Sequence, residues 1–123
     1  MTNQATFDAE QLEMLRSREE VGIRTGPASQ RPVTIWIVVV NDVVFVRSVR
    51  GPRGKWYLAA RAAGEATLVV GQQEFPVRAT AVTDPATLDA VSQAFLSKYA
   101  TSPYAASIVS ADAVPTTLRL DRR

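Results

Sequence analysis

Apolar positions recur at two spacings along this chain, and the switches between them lay out its elements. Phe7, Leu12 and Leu15, with Met14 beside them, fall at helical intervals over residues 7–18, and Thr6 or Asp8 is placed to cap the first turn. The segment EEVGIRTG has a strand-like apolar centre and stops at Gly26-Pro27, a breaker pair that opens the polar loop PASQRP. From Val33 the chain reads VTIWIVVV, then Asn41-Asp42, then VVFVRSV. Two β-branched runs joined by residues that tolerate positive φ predict a hairpin. Trp56, Tyr57 and Leu58 open a short helix-forming segment, and EATLVV, Gly71-Gln72 and EFPVRATAV predict a second hairpin. Pro76 lacks a backbone donor and so belongs at an edge or a bulge. Asp84-Pro85 starts a helix whose Leu88, Val91, Phe95 and Tyr99 share one face through residue 99. Residues 103–110 offer one more helical turn, and TTLRLD a closing strand.

The predicted order is therefore helix, three strands, short helix, two strands, helix, strand. Neither arm of the first hairpin alternates cleanly between apolar and polar residues, so its strands should be covered on both faces. Strands joined mainly by hairpins imply an α+β protein: a small β-barrel of about six mostly antiparallel strands, with helices 7–18 and 84–99 packed outside. At 123 residues the chain is one domain, with residues 1–6 expected to be a flexible end.

Composition narrows the chemistry. With neither Cys nor His, the chain has no disulfides, thiol nucleophiles, imidazole bases or Cys/His metal sites. Carboxylates, Tyr, Lys, Ser, Arg or a bound cofactor must do whatever chemistry there is. The run Ile35–Val40 is too short to cross a bilayer and the N-terminus is polar and acidic, so a cytoplasmic protein without membrane contact is expected. A formal net charge of +2 makes the overall field weak and local clustering decisive. Between Asp42 and Glu65 there is no acid, while Arg47, Arg50, Arg53, Lys55 and Arg61 gather beside a predicted helix N-terminus. Such a loop either cradles a phosphate, with Ser48 as hydroxyl donor and Gly51 and Gly54 letting backbone amides approach, or is a solvated connection. Trp56 and Tyr57 could flank a ring, though packing is the commoner use of such a pair, and Trp36, inside an apolar strand, reads as core. Tyr99 lies on a helix face and reads as structural. Tyr104, beside Pro103, is freer to line a pocket, where its phenol would be the candidate proton donor. Basic residues with aromatics also suit nucleic acid, but the rest of the chain nearly cancels their charge, so no such partner is expected.

Three motifs, spread within residues 20–120, resemble the split β-barrel proteins related to pyridoxamine-phosphate oxidase, nearest their deazaflavin-dependent nitroreductase branch, as an uncharacterised subfamily. Thr25-Gly26 matches the family's Thr-Gly loop; Ser48, Arg50 and Gly51 match a Ser followed by basic and Gly residues; Trp56, Tyr57 and Leu58 match a Trp-Tyr-Leu helix start. Tyr99 and Tyr104 stand where members often carry tyrosines. The resemblance implies FMN or the deazaflavin coenzyme as cofactor, held by Thr25, Ser29, Arg31, Arg47, Ser48, Arg50, Gly51, Lys55, Trp56 and Tyr57, with Tyr104 as the catalytic candidate and no metal. Pro27 and Ala28 depart from the basic, Gly-Ser-rich first loop of the family. It further implies a homodimer and an oxidoreductase, or else a non-catalytic carrier or sensor of the same ligand.

Overall fold

A computed structural model describes residues 6–123, so the expectation for the first five residues falls outside the described residues. Its strands are β1 (Val21–Arg24), β2 (Val33–Ile35), β3 (Val38–Val40), β4 (Val43–Val46), β5 (Glu65–Val70), β6 (Gln73–Ala81) and β7 (Leu118–Arg122). They form one antiparallel sheet in the order β2-β1-β5-β6-β7-β4-β3. The helices are α1 (Ala9–Ser17), α2 (Lys55–Ala63), α3 (Pro85–Lys98) and α4 (Ala105–Ile108). Asp8 caps α1 in a capping box with Gln11, and Asp84 caps α3 by accepting from the Thr87 amide at 2.9 Å. Among the described residues no helix is long and apolar enough to cross a membrane, and no cluster of acidic residues could hold a metal ion.

The two ends of the strand order, β2 and β3, follow one another in the chain with only Trp36 and Ile37 between them. The sheet thus curls into a barrel closed by one bent strand; counting that strand once gives the six expected. The expected hairpin survives only beyond the bend, where Val38–Val40 pair with Val43–Val46 across Asn41 (φ 51°) and Asp42 (φ 64°). A bend interrupts ladder pairing and leaves backbone groups to be satisfied. Here the C-terminal turn of α3 satisfies them. The Ile37 amide donates to the Tyr99 hydroxyl at 3.1 Å, the Ile37 carbonyl accepts from Lys98 Nζ at 2.8 Å, and the Tyr99 hydroxyl donates to the Glu19 carbonyl at 2.6 Å. The Trp36 ring stacks on Tyr99, 4.0 Å between centroids and 5° from parallel.

Pro76 is paired with Thr67 of β5, and its carbonyl accepts from the amide of Arg123, just past β7. The expectation of an edge or a bulge is not met, since β6 lies between β5 and β7 in unbroken register; proline is accommodated because its missing N–H faces Arg123 at the very end of the β7 ladder, where at most one terminal bond is forgone.

Both faces of β4 are covered, as its unbroken apolar run requires. Val44 and Val46 join Ile23, Leu68, Val77 and Leu118 in the barrel interior, while Phe45 points outward with Val38 onto Val91, Phe95, Tyr99 and Ile108 of α3 and α4. Alternation continues past the strand. Arg47 follows Phe45 outward beneath α3 and α4, and Ser48 turns to the other side.

Candidate functional site

Beyond the bend β2 and the continuation of β4 diverge, since pairing between the two arms ends at Val38 and Phe45. A groove of about 520 Å³ opens in the split. One wall is Val33, Thr34, Ile35 and Trp36; the other is Arg47, Ser48, Val49, Arg50, Gly54, Lys55 and Trp56; Glu20 and Tyr104 complete the lining.

The basic end is shaped by two glycines. Gly51 has φ +67°, and a Cβ there would stand 2.9 Å from Asp112 Cβ, so only glycine makes this turn. Gly54 precedes α2, and a Cβ there would collide with Ser48 Oγ. Ser48 is held by its amide, which donates to Thr116 Oγ1 at 2.9 Å, yet its hydroxyl is buried without a hydrogen-bond partner. Alongside, α2 begins with no side-chain cap, so its first amides and the positive end of its dipole are free. Arg50 and Lys55 form no salt bridge among the described residues.

The predicted site residues separate into three sets. Ser48, Arg50, Lys55, Trp56 and Tyr104 meet in the groove, and Gly51 supports it from behind. Arg47 lines the groove and Tyr57 does not, and both spend their polar groups elsewhere. The guanidinium of Arg47, 1% exposed, donates to Thr117 Oγ1 (2.7 Å), Ser92 Oγ (2.9 Å), the Leu88 carbonyl (2.9 Å) and the Ile108 carbonyl (3.2 Å). Burial pushes its pKa down to about 10, which leaves it charged at neutral pH. The buried Tyr57 packs in the barrel core, its hydroxyl accepting from Arg61 at 2.9 Å. Thr25, Ser29 and Arg31 are outside the lining, because the first loop closes on itself: the Gln30 amide donates to the Pro27 carbonyl and its side chain covers Gly26.

Sequence reasoning missed Trp36 and Glu20. Trp36 is packed on one side, as an apolar strand suggests, but the bend turns it into the groove wall. Glu20 carried no signal beyond its acidic neighbour.

A curled antiparallel sheet of this order, split along one bent strand and flanked by helices, defines the split β-barrel class. Within it, the chain belongs to the family described as uncharacterized protein conserved in bacteria (DUF2255), matched over residues 11–120. A search of curated proteins gave no match. Among solved structures it is similar to a conserved hypothetical protein from Mycobacterium tuberculosis (13% identity, TM-score 0.66, covering 100% of this chain and 82% of that one). It is also similar to a putative pyridoxamine 5′-phosphate oxidase from Listeria innocua (8%, TM-score 0.61, 93% and 90%). A third likeness is to an FAD-binding protein from Mesorhizobium loti (14%, TM-score 0.55, 98% and 92%). At these identities the likeness is one of fold.

Proposed function

We propose that the groove binds a phosphorylated planar redox cofactor, FMN or the deazaflavin coenzyme, and that the protein is an oxidoreductase of the split-barrel type, akin to the deazaflavin-dependent nitroreductase branch. The observation that carries this reading is the unpartnered Ser48 hydroxyl beside the Cβ-free Gly54. A buried hydroxyl without a partner costs about 1–3 kcal/mol, and a phosphate oxygen seated there would satisfy it. The donor set fits an anion: Ser48 Oγ, the free amides opening α2, and the cations of Arg50 and Lys55. The apolar walls, Val33, Ile35, Trp36, Val49 and Trp56, fit a flat ring and exclude water from it. The cofactor, when bound, supplies the hydride chemistry; the chain binds and orients it. Two neighbours in fold are a putative pyridoxamine 5′-phosphate oxidase and an FAD-binding protein, which supports a flavin-like ligand.

Tyr104 favours a second reading in one respect. It is 69% exposed and its hydroxyl has no hydrogen-bond partner among the described residues, so no proton donor is held in place over the ring. A carrier or sensor would need none. The groove also carries an exposed apolar rim, which a second copy of the chain would cover in a homodimer.

Absorbance titration of the purified protein with FMN, riboflavin and the deazaflavin coenzyme tests the binding. Replacing Arg50 and Lys55 by Ala should weaken the phosphorylated ligands by roughly 1.5–3 kcal/mol per lost charge-assisted hydrogen bond and leave riboflavin nearly unchanged. Equal affinities of wild type and double variant for the phosphorylated ligands overturn the cradle. Turnover of the reduced cofactor with electron acceptors separates enzyme from carrier.

A further inference from the structure

We infer that the end of the groove marked by Glu20 is a subsite for an organic cation, a primary or methylated ammonium group. It shares the groove with the proposed cofactor and deepens that reading, but its recognition chemistry is separate from the phosphate cradle.

Three observations converge. Glu20, which precedes β1 beside Trp36, is the one carboxylate in the lining, whereas the cations Arg47, Arg50 and Lys55 come from the segment that follows β4 and opens α2. Glu20 forms no salt bridge among the described residues, in contrast to the acids Asp42, Glu65, Glu74 and Asp121, each of which holds an arginine. A lone carboxylate facing apolar walls is an attractive partner for a desolvated cation.

Aromatic faces supply the second element. Trp36, Trp56 and Tyr104 all line this groove. One face of the Trp36 ring is taken by Tyr99, so its contribution to the groove wall is the remaining face and edge. The far end of this stack already holds a cation of the chain itself, since Lys98 Nζ lies 5.4 Å from the Tyr99 ring centre. Trp offers the strongest ring field for cations, and aromatic surfaces combined with a carboxylate are the chemistry that selects ammonium groups over neutral ligands of the same shape.

Third, the charge of Glu20 reaches this stack. Together with burial and Glu19 it contributes to the upward shift of the Tyr99 phenol. The Lys98 ammonium on the protein side donates to the Leu15 and Ile37 carbonyls and is not free to fold over Glu20.

Both tryptophans of the chain line the groove, so intrinsic fluorescence reports its occupancy without any cofactor. The probe is choline, compared with its uncharged isostere 3,3-dimethylbutan-1-ol. Wild-type protein should bind choline saturably and at least about ten-fold more tightly than the isostere, a preference of about 1.4 kcal/mol. Glu20→Gln should abolish that preference, and Glu20→Lys should abolish choline binding. Glu20 is exposed, and matching melting curves of the variants would show the fold intact. Joint replacement of Arg50 and Lys55 by Ala should leave choline binding unweakened, so loss of the phosphate cradle is distinguishable from loss of this subsite. Equal affinity of wild type for choline and isostere, no binding of either, or an undiminished choline preference in Glu20→Gln overturns the inference.

Discussion

Arg47 combines the burial of a core leucine with a full positive charge, and it does so without an acid. Its four acceptors are two hydroxyls and two backbone carbonyls, drawn from α3, from the end of α4 and from Thr117 just before β7. This makes the side chain a clamp on the elements that carry Tyr104, at the border of the groove. Arg47→Met keeps the apolar stem and removes the donors; losing several buried hydrogen bonds should lower stability by roughly 3 kcal/mol, read as a lower denaturant midpoint at an unchanged slope. The pair at the bend gives a pH signature. Burial lowers the Lys98 ammonium to about 8 from 10.5, so between those values the unfolded chain holds a proton that the folded one has released, and stability rises with pH. Tyr99 is shifted the other way, from 10.0 up to about 12, again mainly by burial. Above pH 10 the unfolded chain loses a proton that the folded one keeps, and stability falls. Chemical denaturation across pH 7–11 should therefore show a rise from about pH 8 that flattens near pH 10 and reverses. Lys98→Met should remove the rising limb whatever its effect on the overall level, and a rise retained in that variant would refute the assignment.

At the scale of elements, the bent strand separates what the sequence could express from what it could not. Local chemistry was legible: Asn41-Asp42 at positive φ, the turn at Gly71-Gln72, Asp84 ahead of Pro85, and the face of α3 that buries Val91 and Phe95. The bend was not. VTIWIVVV carries no glycine or proline, and periodicity describes which faces are covered without saying which strand lies alongside. What breaks the strand at Trp36 and Ile37 is supplied by Lys98 and Tyr99, about sixty residues away, whose hydrogen bonds replace the missing ladder. The same limit governed the site. Ser48, Arg50, Lys55 and Trp56 were recognisable because they are near neighbours on one loop and one helix start. Thr25, Ser29 and Arg31 were joined to them by family likeness alone, and Arg47, which borders the groove, has its guanidinium taken up by partners far away in the chain that the sequence does not reveal. Gly54 tests this local assembly. Its φ of −59° suits any residue, so Gly54→Ala strains no backbone, but the new Cβ would drive Ser48 Oγ from its position. Binding of FMN or the deazaflavin coenzyme should drop at least ten-fold while the helix content by circular dichroism stays the same. Unchanged affinity would separate Ser48 from the cradle.

For the whole molecule, the question is what covers the rim of the split. Val33 is 46% exposed, Val49 55% and Tyr104 69%, and all three border the groove. Scattered apolar residues on a surface need no explanation, but three around one cleft mark a surface that binds something. A ring bound in the split would cover their inner sides only. The outer sides suit a second copy, and two-fold pairing would place two such rims against each other. A standard interface buries roughly 800 Å² per partner, a modest share of the 7266 Å² that one protomer exposes. Light scattering at micromolar concentration should accordingly give twice the protomer mass of 13.4 kDa. Val49→Glu places a charge in the middle of the apolar rim and should yield the monomer; because the side chain is already more than half exposed, thermal stability at high dilution should hardly change. Because Val49 also lines the groove, the role of the partner in cofactor binding is read from the wild type: if the partner closes the groove, affinity follows protein concentration through the dimer–monomer transition, and if the walls and cradle of one chain suffice, it does not. A wild-type protein that scatters as a monomer at these concentrations would leave the rim to the ligand alone and rule the dimer out.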